Sequence, residues 1–288
     1  MQNPELESVL ALLERGCGAR ISVCDLGGLA ALCSGLTLAH RIHAAPFCDL
    51  AKSTAHGLER CMRCKSVANR RAAAGAPFAG TCAFGLWEAA CPVIAGDTLL
   101  GVVYAGNLRP GTCRVRPGAW HDAMRAIWAA LPPAEVYGSA AADAAATVAE
   151  LLAHRAASQP RVHVPAPPMH PAVRLLLQYA NHGYAQPLTL ARLARLVHMD
   201  AKYLGRLFRA QVGESFSAYL NRIRLAHARE LLMRSGGTVL EIAMACGFAN
   251  VSYFNRLYRA AYGTCPGDDR GRRGTGEWRF DEAIINNH

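Results

Sequence analysis

Two domains of different class are predicted by this sequence: an α+β N-terminal half, followed by an all-α half built from a repeated two-helix unit. Three observations predict it. Pro160, Pro165, Pro167 and Pro168 crowd residues 158–168, a density that blocks helix and central strand alike and marks a linker. Ahead of it, residues 86–94 and 99–107 are apolar, β-compatible runs joined across Ala95, Gly96, Asp97 and Thr98, which reads as a hairpin. Beyond it the sequence resembles itself at a spacing near fifty residues, with no convincing strand. A length of 288 residues suits two domains of the usual ~100 to 200. With 52% hydrophobic and 18% charged residues, a disordered or fibrous chain is excluded.

The elements follow in order. Residues 5–16 have the period of an amphipathic helix, and residues 20–26 read as a strand ending at the turn pair Gly27-Gly28. Residues 58–74 and the Ala-rich 134–157 read as helices, the latter with a stripe of Val136, Ala140, Ala144, Val148, Leu151 and Leu152. That stripe packs on its own domain or pairs with a second chain as a homodimer; both readings stay open. Trp120 and Trp128 lie eight residues apart and fit core packing better than a ligand cage. Domain bounds are therefore 1–157, a linker at 158–169, a helical domain at 170–270, and a tail at 271–288 with no assigned role.

The repeat is the most informative feature. Thr189, Leu190, Leu193 and Ala194 correspond to Thr238, Val239, Ile242 and Ala243 at an offset of 49. Tyr203, Leu204, Arg206, Leu207, Phe208, Arg209 and Gly213 correspond to Tyr253, Phe254, Arg256, Leu257, Tyr258, Arg259 and Gly263 at an offset of 50. Each copy reads as a short helix opened by a threonine cap, a tight turn, and a second helix capped by Asp200 or Asn250. Ala194 and Ala243 stand where two helices cross closely, which is helix-turn-helix logic.

In the second helices the period puts Tyr203, Leu204, Leu207 and Phe208, like Tyr253, Phe254, Leu257 and Tyr258, on one apolar face. The opposite face then carries Lys202, Gly205, Arg206 and Arg209, or Val251, Ser252, Asn255, Arg256 and Arg259. These are the candidate readers of base edges and phosphates. Between the copies, residues 215–234 read as one amphipathic helix. Twenty residues at 1.5 Å each span about 30 Å, close to the ~34 Å between successive major-groove faces of B-DNA.

Charge agrees. The chain carries 31 Lys plus Arg against 21 Asp plus Glu, a formal +10, and only Lys52, Lys65 and Lys202 are lysines. The excess is arginine, suited to phosphates and base edges. Residues 160–288 hold 17 basic and 9 acidic side chains, against 14 and 12 before them, so the polyanion binder is the C-terminal half. A merely solvated basic face would not need two matching copies. Double-stranded DNA is the expected partner.

These residues resemble the AraC/XylS family of transcriptional regulators. The likeness runs from about Pro171 to Pro266 and rests on Leu190-Ala191-Arg192-Leu193-Ala194, Tyr203-Leu204-Gly205-Arg206-Leu207-Phe208, Ile242-Ala243-Met244-Ala245-Cys246-Gly247-Phe248 and Ser252-Tyr253-Phe254-Asn255-Arg256. It implies two helix-turn-helix units joined by a long helix, promoter DNA as target and RNA polymerase as a partner. Two features depart from the pattern: Gly205 where a longer polar side chain commonly faces the bases, and Gly267-Asp268-Asp269-Arg270 in place of an aromatic-Arg ending.

Nine of eleven cysteines precede residue 114. No run reaches the ~18 apolar residues of a membrane span and no signal peptide opens the chain, so a cytoplasmic protein with reduced thiols is expected. Cys48, Cys61, Cys64 and Cys82 form a C-x12-C-x2-C-x17-C series. Four thiolates suit zinc or an iron-sulfur cluster, while cysteine also serves as a small buried hydrophobe. His40 and His43 stand just before this series.

Phe47-Cys48, Cys61 to Cys64, Thr81-Cys82-Ala83-Phe84-Gly85-Leu86-Trp87-Glu88, Pro92-Val93-Ile94 and Gly101-Val102-Val103-Tyr104-Ala105-Gly106 resemble the PocR sensory domain. That likeness implies a PAS-like α/β sensor of small hydrocarbon derivatives, with its hairpin lining a small pocket. His43, Phe47, Trp87, Glu88 and Tyr104 are then the candidate ligand residues, Trp87 as an apolar wall and Glu88 as a hydrogen-bond acceptor. The reading is a non-enzymatic, DNA-binding transcriptional regulator controlled by a small-molecule effector. Its rivals are an Ada-type methyl-accepting repair protein, with a zinc-bound cysteine, and a cysteine-based metal or redox sensor.

Overall fold

The computed structural model describes residues 4–26, 29, 33, 36, 38–41, 45–112, 122–158, 169–234 and 237–269. The chain forms two compact units, residues 1–169 and 170–288. The expected linker at 158–169 lies almost wholly, and the tail at 271–288 wholly, outside the described residues.

In the first unit α1 (Pro4–Cys17), β1 (Arg20–Asp25), α2 (Leu38–Arg41), α3 (Pro46–Ala51), α4 (Ala55–Ala72), β2 (Phe78–Thr81), β3 (Trp87–Ala95), β4 (Thr98–Leu108), α5 (Asp122–Ala130) and α6 (Ala134–Ser158) follow in order. The strands make one antiparallel sheet of order β1-β4-β3-β2. Ala95 pairs with Thr98 across Gly96-Asp97, and Gly96 takes the positive φ of 60° that this two-residue turn requires. The expected hairpin is therefore present, and β2 adds a second one that the sequence reading left out.

Alternation sorts the strands onto two faces. Ile21, Val23, Cys91, Val93, Val103 and Ala105 join one core with Leu6 and Leu10 of α1 and Ala141, Ala145, Val148 and Leu152 of α6. Ala90, Val102 and Tyr104 face Ala72 of α4 on the other. The buried stripe of α6 runs through Gly138, Ala141, Ala145, Val148 and Leu152. It corrects the expected one: Val136 is 67% exposed and Ala140 is exposed, because an Ala-rich helix lacks bulky residues to fix the phase of its apolar face.

The second unit is helical throughout its described residues: α7 (Pro171–Gly183), α8 (Leu190–Leu196), α9 (Ala201–Val212), α10 (Phe216–Arg234), α11 (Val239–Ala245) and α12 (Val251–Tyr262). The caps form as the sequence predicts. Thr189 and Thr238 hydroxyls accept from Arg192 N and Glu241 N at 3.2 Å each. Asp200 and Asn250 accept from Tyr203 N and Tyr253 N at 2.9 and 3.0 Å. Gly213 and Gly263 end the second helices in the left-handed region. The turns match too: His198 and Gly247, 49 residues apart, both take positive φ, 53° and 84°.

α10 is not amphipathic in the expected sense. Phe216, Tyr219, Leu220 and Ile223 are buried toward its start, and Leu225, Ala228 and Leu232 belong to the core of α11 and α12. Serving two cores leaves it buried around most of its circumference. Arg224, midway, donates from Nε to Tyr184 O at 2.8 Å and from Nη2 to Gln186 O at 2.9 Å. Gly247 approaches the same loop so closely that a Cβ there would stand 2.8 Å from Ala185 O. The buried Asp269 accepts from Tyr258 Oη at 2.7 Å, from Arg229 Nε at 3.1 Å and from Thr264 Oγ1 at 3.3 Å, which gives the departing C-terminal sequence a structural role.

Gly247→Ala is expected to destabilise this unit by about 2 to 5 kcal/mol, combining left-handed strain of ~1 to 2 with crowding of ~1 to 3. Urea denaturation followed by far-UV circular dichroism measures it; a loss under about 0.5 kcal/mol, the usual size for an unconstrained surface site, would show that the loop simply yields.

Candidate nucleic-acid interface and sensor pocket

The two second helices present matching exposed faces. Lys202, Arg206 and Arg209 are exposed on α9, and Ser252, Asn255, Arg256 and Arg259 on α12. They are held from behind by Leu204 and Phe208, or Phe254 and Tyr258, all fully buried. Two expected members stand differently. Gly205 is packed toward α8, where a Cβ would lie 3.0 Å from Leu190 Cδ2, so it offers only backbone. Val251 is half-buried and packs on the core of the second repeat.

Tyr203 and Tyr253 are corrections of the opposite kind. Expected on the apolar face, they are 49% and 39% exposed, because the third position of each helix falls at the edge of that face and leaves the core to Leu204 and Phe254. The guanidinium of Arg256 lies 5.4 Å from the Tyr253 ring centroid. Arg259 Nη2 donates to Cys265 Sγ at 2.6 Å. Asn255, Arg256 and Arg259 line one side of a cavity of about 600 Å³ whose other side is Val239 and Cys265-Pro266-Gly267.

In the first unit the geometry centres on Glu88. Lys65 of α4 and Glu88 of β3 form a buried ion pair of 2.6 Å. Lys65 Nζ also lies 3.4 Å from the Tyr104 ring centroid, and Tyr104 Oη donates to Asn69 Oδ1 at 2.6 Å. Asn69 Nδ2 in turn meets Cys24 Sγ at 3.4 Å. Burial acts to lower the Lys65 ammonium, but the adjacent carboxylate outweighs it and the net shift is upward. Burial pushes the Tyr104 phenol well up. Gly106 pairs with Glu88 across β3 and β4, and a Cβ at Gly106 would stand 2.5 Å from Glu88 Cβ; its missing side chain makes room for the ion pair.

Arg20, Ser22, Ala45, Cys48, Glu88, Tyr104, Gly106 and Asn107 line a hollow of about 20 Å³. Glu88 and Tyr104 are thus brought together as expected. Phe47 is not with them: it is fully buried in a separate core cluster with Met124, where Trp128 lies 5.6 Å away between ring centroids. Trp87 points to the opposite side of the sheet, its ring packed 3.3 Å from where a Cβ of Gly138 would be. His43 lies outside the described residues. Lys65, Asn69, Ser22 and Asn107 were missed by sequence reasoning. A signal existed for Lys65 and Asn69, which fall on the buried stripe of α4 with Leu58, Cys61, Met62 and Ala72; a polar residue there needs a buried partner.

The expected four-thiolate site does not form. Among the described residues no group of three or more His, Cys, Asp or Glu is placed to hold a metal ion. Cys48, Cys61 and Cys82 are neighbours whose thiols burial raises, but three thiols without Cys64 leave a four-coordinate site one ligand short. Cys64, one turn from Cys61, instead lines an outer hollow with Arg60 and Arg63. The residues present do not fit zinc or an iron-sulfur cluster. No helix among the described residues is long and apolar enough to cross a membrane.

Residues 4–135 match a family described as a sensory domain found in PocR, and residues 193–272 match a helix-turn-helix domain. The chain is 35% identical over 106 residues to the HTH-type transcriptional regulator GlxA of Rhizobium meliloti, covering 37% of this chain and 33% of that protein. It is 39% identical over 84 residues to the HTH-type transcriptional regulator CdhR of Pseudomonas aeruginosa, covering 29% and 25%. The chain thus spans a third or less of the length of these relatives. Among solved structures, the C-terminal domain of AraT, a response regulator from Geobacillus stearothermophilus, is 31% identical, with 38% of this chain and 93% of that one covered at a TM-score of 0.36.

Burial raises the Cys24 thiol to about 11 and the Cys82 thiol to about 12 from an ordinary value of 9.0. Folded thiols then keep protons that unfolded ones release, so the stability they confer is full below pH 9 and is lost as pH rises through 11 and 12. Lys65, raised by Glu88, acts in the same direction above its own ordinary value of 10.5. Urea midpoints of the sensor unit should therefore fall steadily above pH 9; a midpoint unchanged up to pH 10.5 would contradict the burial of these groups.

Proposed function

From a chain that carries a PocR-type sensory domain followed by an AraC-type helix-turn-helix domain, we propose a one-component regulator of transcription. In it the α9 and α12 arginines grip promoter DNA, and a small-molecule effector in the first unit changes that grip. The observation that carries the DNA-binding part is the matched exposure of Arg206 and Arg256 on two equivalent helices, each backed by a buried aromatic core. A helix entering the major groove with such a face can place arginine on guanine edges and phosphates. The two helix-turn-helix repeats approach DNA as one body, because Arg224 and the Gly247 contact bind the second repeat to the loop after α7.

The effector seat is the hollow beside Glu88. At about 20 Å³ it has room for a single water molecule, which needs ~10 to 15 Å³. An organic effector therefore enters only by moving side chains, and a ligand that changes the structure on entry is what a sensor needs. Glu88 offers a carboxylate already neutralised by Lys65, and Arg20 is paired with Glu14 at 3.4 Å. A charge-balanced hollow favours a neutral, hydroxyl-bearing molecule over an ion. The neighbouring Trp87 rests on α6, whose last residue, Ser158, opens the linker to the DNA-binding unit. The thiol-based alternatives find no support among the described residues, since no group of three or more metal-ligating side chains gathers around the cysteines.

Fluorescence anisotropy with a labelled duplex tests the DNA-binding part. Affinity should fall steeply with salt, and Arg206→Ala and Arg256→Ala should each cost about 1 to 3 kcal/mol and relax base preference. A flat salt response, or two variants that bind like the parent, would remove this reading. Glu88→Gln, which removes the carboxylate that holds Lys65, should abolish the response of DNA affinity to small alcohols and diols that alter the parent's affinity.

A further inference from the structure

We propose that Tyr253, aimed by Asn221, is a phosphate clamp: its phenolic hydroxyl donates to a DNA backbone oxygen beside Arg256. The inference rests on the DNA-binding reading and adds to it a neutral, oriented donor. Three features of the structure converge on this side chain. It is 39% exposed on the arginine-bearing side of α12 although the period of the helix assigns it to the core. Its ring is braced between Phe248, at 6.4 Å between centroids, and the Arg256 guanidinium at 5.4 Å. Its hydroxyl accepts a 3.0 Å hydrogen bond from Asn221 Nδ2, a residue of α10.

The last contact decides the chemistry. A phenol has one hydrogen to donate and lone pairs to accept with. With a lone pair engaged by the Asn221 amide, the O–H hydrogen is turned toward an outside acceptor, and no described residue takes it. An exposed donor next to a guanidinium suits an oxygen that is anionic and offers several lone pairs, which on a duplex is the phosphodiester. Phosphate contacts set the register of a recognition helix without reading sequence. Asn221 thus acts as a positioning residue, carrying the placement of α10 into the grip of α12. Tyr203 holds the same helical position in the first repeat and is 49% exposed, but no described residue braces its hydroxyl.

The test uses the full chain and a labelled mixed-sequence duplex of about 30 base pairs, long enough for two successive major-groove faces, at low salt. Tyr253→Phe keeps the ring and removes the hydroxyl; it should weaken binding about tenfold, the lower end expected for a hydrogen bond to a charged group. The log-log salt slope should stay that of the parent, since no cation is lost, whereas Arg256→Ala should flatten it by about one. Asn221→Ala should weaken binding less, and should add nothing once Tyr253→Phe is present. Tyr203→Phe should weaken binding by less than about twofold, being an unbraced surface hydroxyl. The clamp is overturned if Tyr253→Phe binds like the parent while Arg256→Ala does not, or if the Asn221 and Tyr253 losses simply add. A parent chain that binds no duplex would instead overturn the DNA-binding reading and the clamp with it.

Discussion

The DNA-binding unit depends on one close approach, where the second repeat meets the loop after α7. Two helix-turn-helix modules on a flexible joint would each lose orientational freedom separately on binding a duplex, and that ordering opposes association. Here the joint is filled. Arg224 closes two backbone carbonyls of the loop, Tyr184 O and Gln186 O, and Gly247 brings the turn of the second repeat against Ala185 between them. His227 stacks on Tyr184 at 4.3 Å beside this contact. A residue with a side chain at 247 would have to push the loop away, and with it the acceptors that hold Arg224. The matched position in the first repeat is His198, which shows that the left-handed turn alone does not demand glycine; the contact does.

Local rules explain why so much of this unit is legible in the sequence. A cap needs a side-chain oxygen and an N–H three residues on, so Thr189, Asp200, Thr238 and Asn250 announce the helix starts on their own. The repeat then multiplies each local signal by two. What stays hidden is phase and distance. Periodicity cannot decide whether the residue at the edge of an apolar face is inside or outside, and Tyr203 and Tyr253 are such residues. Nor can it say that α10 serves two cores, or that Asp269 gathers Tyr258, Arg229 and Thr264, because each of those depends on elements brought together by the fold.

The sensor unit was harder to read for the same reason, carried further. Cysteines at metal-like spacing draw attention in a sequence, yet spacing along a helix fixes only direction. Cys61 turns inward beside Cys48 while Cys64 lines an outer hollow with Arg60 and Arg63. The group that organises the site is instead an ion pair between two residues 23 positions apart, with nothing in the sequence to pair them. Lys65 stands out only once α4 is seen to bury the stripe on which it lies.

On the proposed reading, that pair also sets the energetics of sensing. A buried salt bridge adds little net stability, since desolvation offsets most of its attraction, but removing one partner leaves a charge stranded at a cost of about 3 to 5 kcal/mol. An effector hydroxyl that shares Glu88 leaves the pair intact and perturbs it slightly. One that displaces Lys65 must replace the whole interaction, and the ammonium must then leave its seat over Tyr104. To move a two-state equilibrium from 1:99 to 99:1 takes about 5.5 kcal/mol of differential affinity, which is comparable to the cost of breaking this one pair. In the proposed regulator the Lys65–Glu88 bridge thus supplies most of that difference and serves as the latch, with Gly106 making the room for Glu88.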